Sequence, residues 1–167
     1  FTTYHAIEIE HMEGGEAVAP LRLASHHRNR RGVVHGGVIS ALLDTALGAA
    51  VVSAIPKEWW CATTSLSVQF LEGRSDGVLK AHGSVLRRGR RVAFAGGEVR
   101  DEVGRLVAAA QGSWHLWPHH PGQLEGAVSS SPWVVRKNSG ERLRVGKILA
   151  VGRNYAEHNK EMGNRPD

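Results

Sequence analysis

From Val38 to Ile55 the chain is almost wholly apolar, broken only by Ser40, Asp44, Thr45, Ser53 and small glycine and alanine patches, and Pro56 ends the run. The length approaches a membrane span, but the small-residue content and the central aspartate argue against one. A surface helix would show a polar face. This pattern predicts instead a helix buried on nearly every side, around which the rest of the fold must be built.

On both sides of that segment the pattern switches to period two. Tyr4–Glu10 alternates apolar and polar residues, and Leu21-Arg22-Leu23 suggests a second short strand. After the helix, Leu66, Val68 and Phe70 alternate with Ser65, Ser67 and Gln69, and further strands are expected over Val78–Leu86, Val92–Arg100 and Leu106–Trp117. The turns between them, Arg74-Ser75-Asp76-Gly77, Arg88-Gly89-Arg90 and Asp101-Glu102-Val103-Gly104, each offer a glycine for positive φ. Two strands, one apolar helix and four antiparallel strands predict an α+β arrangement, a sheet curled around the helix.

The 167 residues suit one domain, and 41% hydrophobic with 22% charged residues is a globular composition. The chain opens at Phe1 and no secretory signal pattern follows. Cys61 is the lone cysteine, which excludes an internal disulfide framework or a multi-cysteine zinc site and fits a reducing, cytoplasmic compartment. The net charge of +5 raises the question of nucleic acid, but residues 1–118 carry 13 Lys/Arg against 11 Asp/Glu, whereas residues 136–167 carry 8 against 4. The excess sits in the tail, where a solvated segment is the simpler reading. Neither nucleic acid nor membrane is expected as a partner. The chain divides near residue 118, where Pro118-His119-His120-Pro121-Gly122 leads into a Ser/Pro-rich linker over 119–144. His119 and His120 have no further ligand at a useful spacing, so no metal site is expected there.

The chemistry gathers before and within the helix. Asn29-Arg30-Arg31-Gly32-Val33-Val34-His35-Gly36-Gly37 runs straight into the apolar segment. At a helix entrance free N–H groups and the positive dipole end can polarise a carbonyl oxygen, and glycines admit a ligand to the backbone. The same tripeptide also suits a glycine-rich helix start capped by the histidine. Asp44 has Ala41, Leu47, Ser40 and Gly48 at i±3 and i±4, so no cation on its own helix pairs it. A carboxylate there is either a buried hydrogen-bond acceptor or a general base or nucleophile.

The spacing Asn-x5-His-Gly-Gly-x6-Asp, in this order of strands and helix, resembles the hotdog-fold acyl-CoA thioesterases over about residues 4–117. The nearest branch is the phenylacetate-degradation type, related to 4-hydroxybenzoyl-CoA thioesterase. The resemblance implies the hotdog fold and hydrolysis of an acyl-CoA to free acid and coenzyme A without metal or redox cofactor. It implies that Asp44 activates water or attacks directly, that the Gly36 N–H receives the thioester oxygen, and that Asn29 and His35 position the reacting groups. It puts Thr63 on the water, with Thr64 as the alternative. It also suggests that Arg88, Gly89 and Arg91, on a turn that reads otherwise as a solvated hairpin tip, contact the coenzyme A phosphates. Homodimers with shared sites, pairing into a homotetramer, are implied as well. Helix geometry points the same way: Gly36 and Asp44 are separated by eight residues, about 12 Å along one helix, so a single chain cannot bring both to one carbon.

The tail from Lys147 to Glu161 is similar to the opening of fumarylacetoacetate-hydrolase-family domains, where the His158/Glu161 pair would belong to a lid. A segment of 145–167 cannot build such a domain's core or metal site, so it is expected to be inert, the remnant of a truncated fusion or of a fragmentary gene. Two other functions stand beside the thioesterase: a hotdog sensor that binds acyl-CoA without turnover, and a fragment of a metal-dependent hydrolase of the fumarylacetoacetate type.

Overall fold

The computed structural model describes residues 5–118, together with the backbone of 133–135 and 142–144. The chain forms two compact units, 1–124 and 125–167. The first contains β1 (His11–Glu13), β2 (Glu16–Arg22), a 3-10 turn (Ser25–His27), α1 (Gly36–Ser53), β3 (Trp60–Phe70), β4 (Val78–Arg88), β5 (Val92–Arg100) and β6 (Leu106–Trp117). In the second, β7 (Trp133–Val135) pairs antiparallel with β8 (Arg142–Arg144). The remainder of the expected linker, His119 and His120, and the tail with His158 and Glu161 lie outside the described residues.

The six strands of the first unit form one antiparallel sheet in the order β1-β2-β4-β5-β6-β3. The link from β2 through α1 to β3 carries the chain from one side of the sheet to its far edge. Hairpins then fill the middle. This is the expected hotdog arrangement, and β5 and β6 have the bounds expected from the hairpin spacing of their runs.

Large helix residues meet small sheet residues. Leu42, Leu43 and Leu47 are fully buried over Ala19, Ala81, Ala93, Ala95 and Ala108. The approach is closest at Gly83, where an added Cβ would stand 2.8 Å from the backbone oxygen of Ala46. Only a residue without a side chain lets the helix backbone come so near the sheet. At the C-terminal end, Ser53 Oγ accepts from the Gly15 N–H (2.9 Å) and donates to the Ala50 carbonyl (2.8 Å), which ties the helix to the β1–β2 turn. By length and composition α1 could cross a membrane, but here nine of its residues are buried in the unit's core.

Four expectations need correction. The alternation over Tyr4–Glu10 does not make a strand: among the described residues, 5–10 lie outside any strand, and the first hairpin is β1–β2, turning on Gly14 and Gly15 at φ 60° and 92°. The strand expected from Leu66 begins already at Trp60. Gly77 and Gly104 take positive φ in their turns, but Gly89 does not, and its N–H instead donates to the Val92 carbonyl. Finally, α1 is not closed on every side. Gly37 and Val52 are exposed, and Ser40, Ala41, Asp44, Thr45 and Gly48 are half-buried, so an open stripe runs along the helix.

Candidate active site

The segment before α1 is a tightly bonded loop. Gly32 at φ 80° turns it, Asn29 exchanges backbone hydrogen bonds with Val33 and Gly32, and Asn29 Oδ1 accepts from the Arg31 N–H at 2.8 Å. Two further bonds anchor the loop: Val34 N–H to the Arg74 carbonyl (2.7 Å) and His35 N–H to the His27 carbonyl (2.8 Å). The Asn29 side chain therefore shapes the loop that delivers His35 and Gly36.

His35 caps the helix. Its Nδ1 accepts from the Gly37 N–H at 2.9 Å, so the ring is neutral and its proton sits on Nε2. This realises the capping role open to it, and leaves the exposed Nε2–H side of the ring available. Gly36 is the first helical residue, and among the described residues its N–H has no protein acceptor. An added Cβ there would touch the Phe70 ring at 3.3 Å, so the glycine allows the end of β3 to lie against the helix entrance. An open N–H at the positive end of an eighteen-residue helix suits a developing oxyanion.

Asp44 lies two turns further along, half-buried on the open stripe. It is not the enclosed carboxylate that the apolar run suggests. Its Oδ1 accepts from Thr63 Oγ1 at 2.8 Å. A bulge in β3 between Thr63 and Ser65 separates the two candidate threonines: Thr63 is on Asp44, whereas Thr64 Oγ1 donates to the Ser113 carbonyl (2.9 Å). Burial, and next the negative charge of Asp44, push the Cys61 thiol up from its ordinary value, which makes it a poor thiolate nucleophile.

The structure brings Asn29, His35 and Gly36 together at the entrance, and Asp44 with Thr63 further along. It does not bring the two groups together within one chain, because the unbroken helix holds them about 12 Å apart along its axis. Arg88, Gly89 and Arg91 lie at the β4–β5 hairpin, where the Arg88 guanidinium stands 5.7 Å from the centre of the Trp59 ring.

Two features were not found by reading the sequence. One is a cleft beside Gly36 that includes Phe70, Leu71 and Glu72. The other is a group of three histidines, His5, His26 and His27, whose ring nitrogens come within 4.8 Å of one another. His27 is fully buried, and its Nδ1 accepts from the Ala24 N–H at 3.0 Å, so its Nε2 carries a proton rather than a free lone pair. Adjacent histidines at 26 and 27 were a visible signal. Their meeting with His5 was not.

Residues 31–108 match the profile of the thioesterase superfamily. A provisionally named esterase of Saccharolobus solfataricus is 32% identical over 110 residues, covering 66% of this chain and 78% of that protein. A conserved protein of Pseudomonas aeruginosa superposes with a TM-score of 0.68 at 29% identity, over 70% of this chain and 92% of its own. The PaaI protein from the phenylacetic acid degradation operon of E. coli shares the fold, with a TM-score of 0.64 at 23% identity over 68% and 81% of the two chains. Identity near one third across most of a relative's length goes beyond a common architecture: the chain belongs to the thioesterase superfamily.

Proposed function

We propose that the protein is an acyl-CoA thioesterase that hydrolyses an aromatic or medium-chain acyl-CoA to the free acid and coenzyme A, with no metal or redox cofactor. The observation that carries this reading is the pairing, on one helix, of an open N–H at Gly36 with a solvent-reachable carboxylate at Asp44 held by Thr63. The thioester oxygen is received by the Gly36 N–H, which stabilises the negative charge that develops there. Thr63 occupies Oδ1 of Asp44, leaving Oδ2 to take a proton from water as that water attacks the carbonyl carbon. Collapse of the intermediate breaks the C–S bond, and the thiolate of coenzyme A leaves and is protonated. Direct attack by Asp44, with hydrolysis of the resulting anhydride, is the other route to the same products. Asn29 and His35 act by positioning. Arg88, Gly89 and Arg91 serve the phosphates, where guanidinium forks suit phosphate oxygens.

The active unit in this reading is a homodimer, itself paired into a tetramer. Gly36 and Asp44 of one chain are too far apart to share a reacting centre, whereas antiparallel helices across a two-fold axis would place each Asp44 beside the partner's Gly36. The open helix stripe supports this, as does β3, an eleven-residue strand at the sheet edge that is mostly exposed. A long uncovered edge strand invites pairing with another chain.

A thiol-release assay with benzoyl-, phenylacetyl- and straight-chain CoA esters tests the activity. Turnover of at least one is expected, and binding without turnover of any would favour a sensor. Refolding Asp44→Ala together with an inactive Asn29 variant tests the sharing. About a quarter of wild-type activity should return, because about half the dimers are mixed and each has one intact site.

A further inference from the structure

The end of β3 and the entrance of α1 border an open cleft of about 260 Å³. Val34, Ile39, Phe70 and Leu71 supply its apolar lining, Gly36 is at its side, and Glu72 contributes the one ionisable side chain. We infer that this cleft takes the acyl arm of the thioester, and that Phe70 and Glu72 select an uncharged aromatic or compact hydrocarbon group over one ending in a carboxylate. The inference rests on the thioesterase reading, since it places the carbonyl oxygen on the Gly36 N–H.

With the oxygen there, one arm of the thioester must enter the cleft. The coenzyme arm is rich in amides and phosphates, which an aliphatic and aromatic lining does not satisfy, whereas a hydrocarbon acyl group gains by leaving water. Phe70 offers a ring that is about half exposed (54%) and already lies against Gly36, so an aromatic acyl group can pack on it.

Glu72 gives the cleft a sign. Its Oε1 pairs with Arg74 Nη1 at 2.7 Å, and that hydrogen bond holds the carboxyl below its ordinary range. Arg74 is itself fixed by Asp101, 2.9 Å from its Nε, and does not line the cleft. Glu72 is exposed at the mouth of the cleft, so a substrate carboxylate entering here meets the negative partner of the pair first, and the two like charges repel.

Binding of non-hydrolysable thioether analogues, read by calorimetry, tests this separately from turnover. The probes are the phenylacetyl and glutaryl thioethers of coenzyme A. The wild type should bind the phenyl probe at least about tenfold more tightly than the carboxylated one. Glu72→Gln should narrow that gap by about tenfold through the glutaryl probe alone, while charge-preserving Glu72→Asp keeps it. Phe70→Ala should weaken the phenyl probe by about tenfold and spare the glutaryl one. An unchanged ratio in Glu72→Gln overturns the inference, and so does a wild type that binds neither probe or both alike. If Glu72→Gln does not fold, an unchanged ratio in Phe70→Ala overturns it as well. If the ratio behaves as expected but no thioester is cleaved, the enzyme reading fails while the selectivity stands.

Discussion

On one side of α1, Leu42, Leu43, Ala46 and Leu47 are wholly enclosed by the sheet, and on the other, Gly37, Ala41, Asp44 and Gly48 remain partly open to solvent. The enclosed side carries large side chains over a floor of alanines, with the helix backbone almost touching Gly83. The open side carries small residues and one carboxylate. The first arrangement maximises contact within the chain. The second leaves room for something outside it, and that contrast locates fold and chemistry on opposite faces of a single helix.

The largest expected effects separate those faces. Asp44→Asn retains an acceptor for the Thr63 hydroxyl but cannot take a proton, so turnover should fall by about 10²–10⁴-fold with the melting temperature nearly unchanged. If thioester turnover survives, or the protein unfolds, Asp44 is structural. Leu47→Ala, one turn away on the closed face, should do the reverse. It should cost about 2–5 kcal/mol in a denaturant titration, while the folded fraction keeps its specific activity. Equal losses of stability in both variants would erase the distinction.

Acid should separate two regions that anchor the helix entrance. Burial lowers the pKa of the His27 ring below its ordinary 6.5, the nearby His26 and His5 add to this, and the His5 backbone acts in the opposite direction. The unfolded chain therefore takes up this proton first. The contribution of His27 to stability is complete above pH 6.5 and is lost as pH falls from there through the lower folded value. Burial raises Asp101, but the Arg105 N–H and the guanidinium groups of Arg74 and Arg105 outweigh it and hold this carboxyl at about 2. Its contribution persists above its ordinary 3.8 and is lost only as pH falls towards 2. Melting temperature against pH should decline in two separate ranges. Replacing His27 by Asn, which keeps an acceptor for the Ala24 N–H, should flatten the upper one alone. A single decline below pH 4 in the wild type would remove His27 from this account.

How much of this could be read in the residues differs between the regions. The apolar run predicts α1, and the runs set at hairpin spacing between turn residues predict β5 and β6 to the residue. In β2 the inward positions are Ala17, Ala19 and Leu21, and alanine contrasts too weakly with its neighbours to mark an alternation. The sharper pattern over Tyr4–Glu10 drew the strand to the wrong place. Asn29, His35, Gly36 and Asp44 stood out through their spacing along one stretch of chain. Phe70 and Glu72 carried no such mark, because their part depends on where β3 ends relative to the start of α1. A helix of apolar residues shows no polar stripe, so the sequence leaves open whether Asp44 is a buried acceptor or a reachable base. The open side of the helix is made of Gly37, Ala41 and Gly48, which hydropathy counts as apolar although they leave space rather than fill it.

The smallest expected effect sits where the two faces begin, at His35. Its Nδ1 satisfies one of the free N–H groups of the first helical turn, and losing such a cap typically costs about 0.5–2 kcal/mol. His35→Ala should therefore melt slightly lower. Asparagine is also a good N-cap and carries an acceptor at a similar distance from the backbone, so His35→Asn should recover most of that loss. What asparagine does not restore is the imidazole with its exposed Nε2–H, which the proposed reaction uses to position the thioester. His35→Asn should thus pair near-wild-type stability with a kcat/KM about tenfold low, roughly the 1.4 kcal/mol of one well-placed hydrogen bond to the reacting group. Full recovery of both quantities would make His35 a cap and nothing more, leaving the chemistry to Gly36, Asp44 and Thr63.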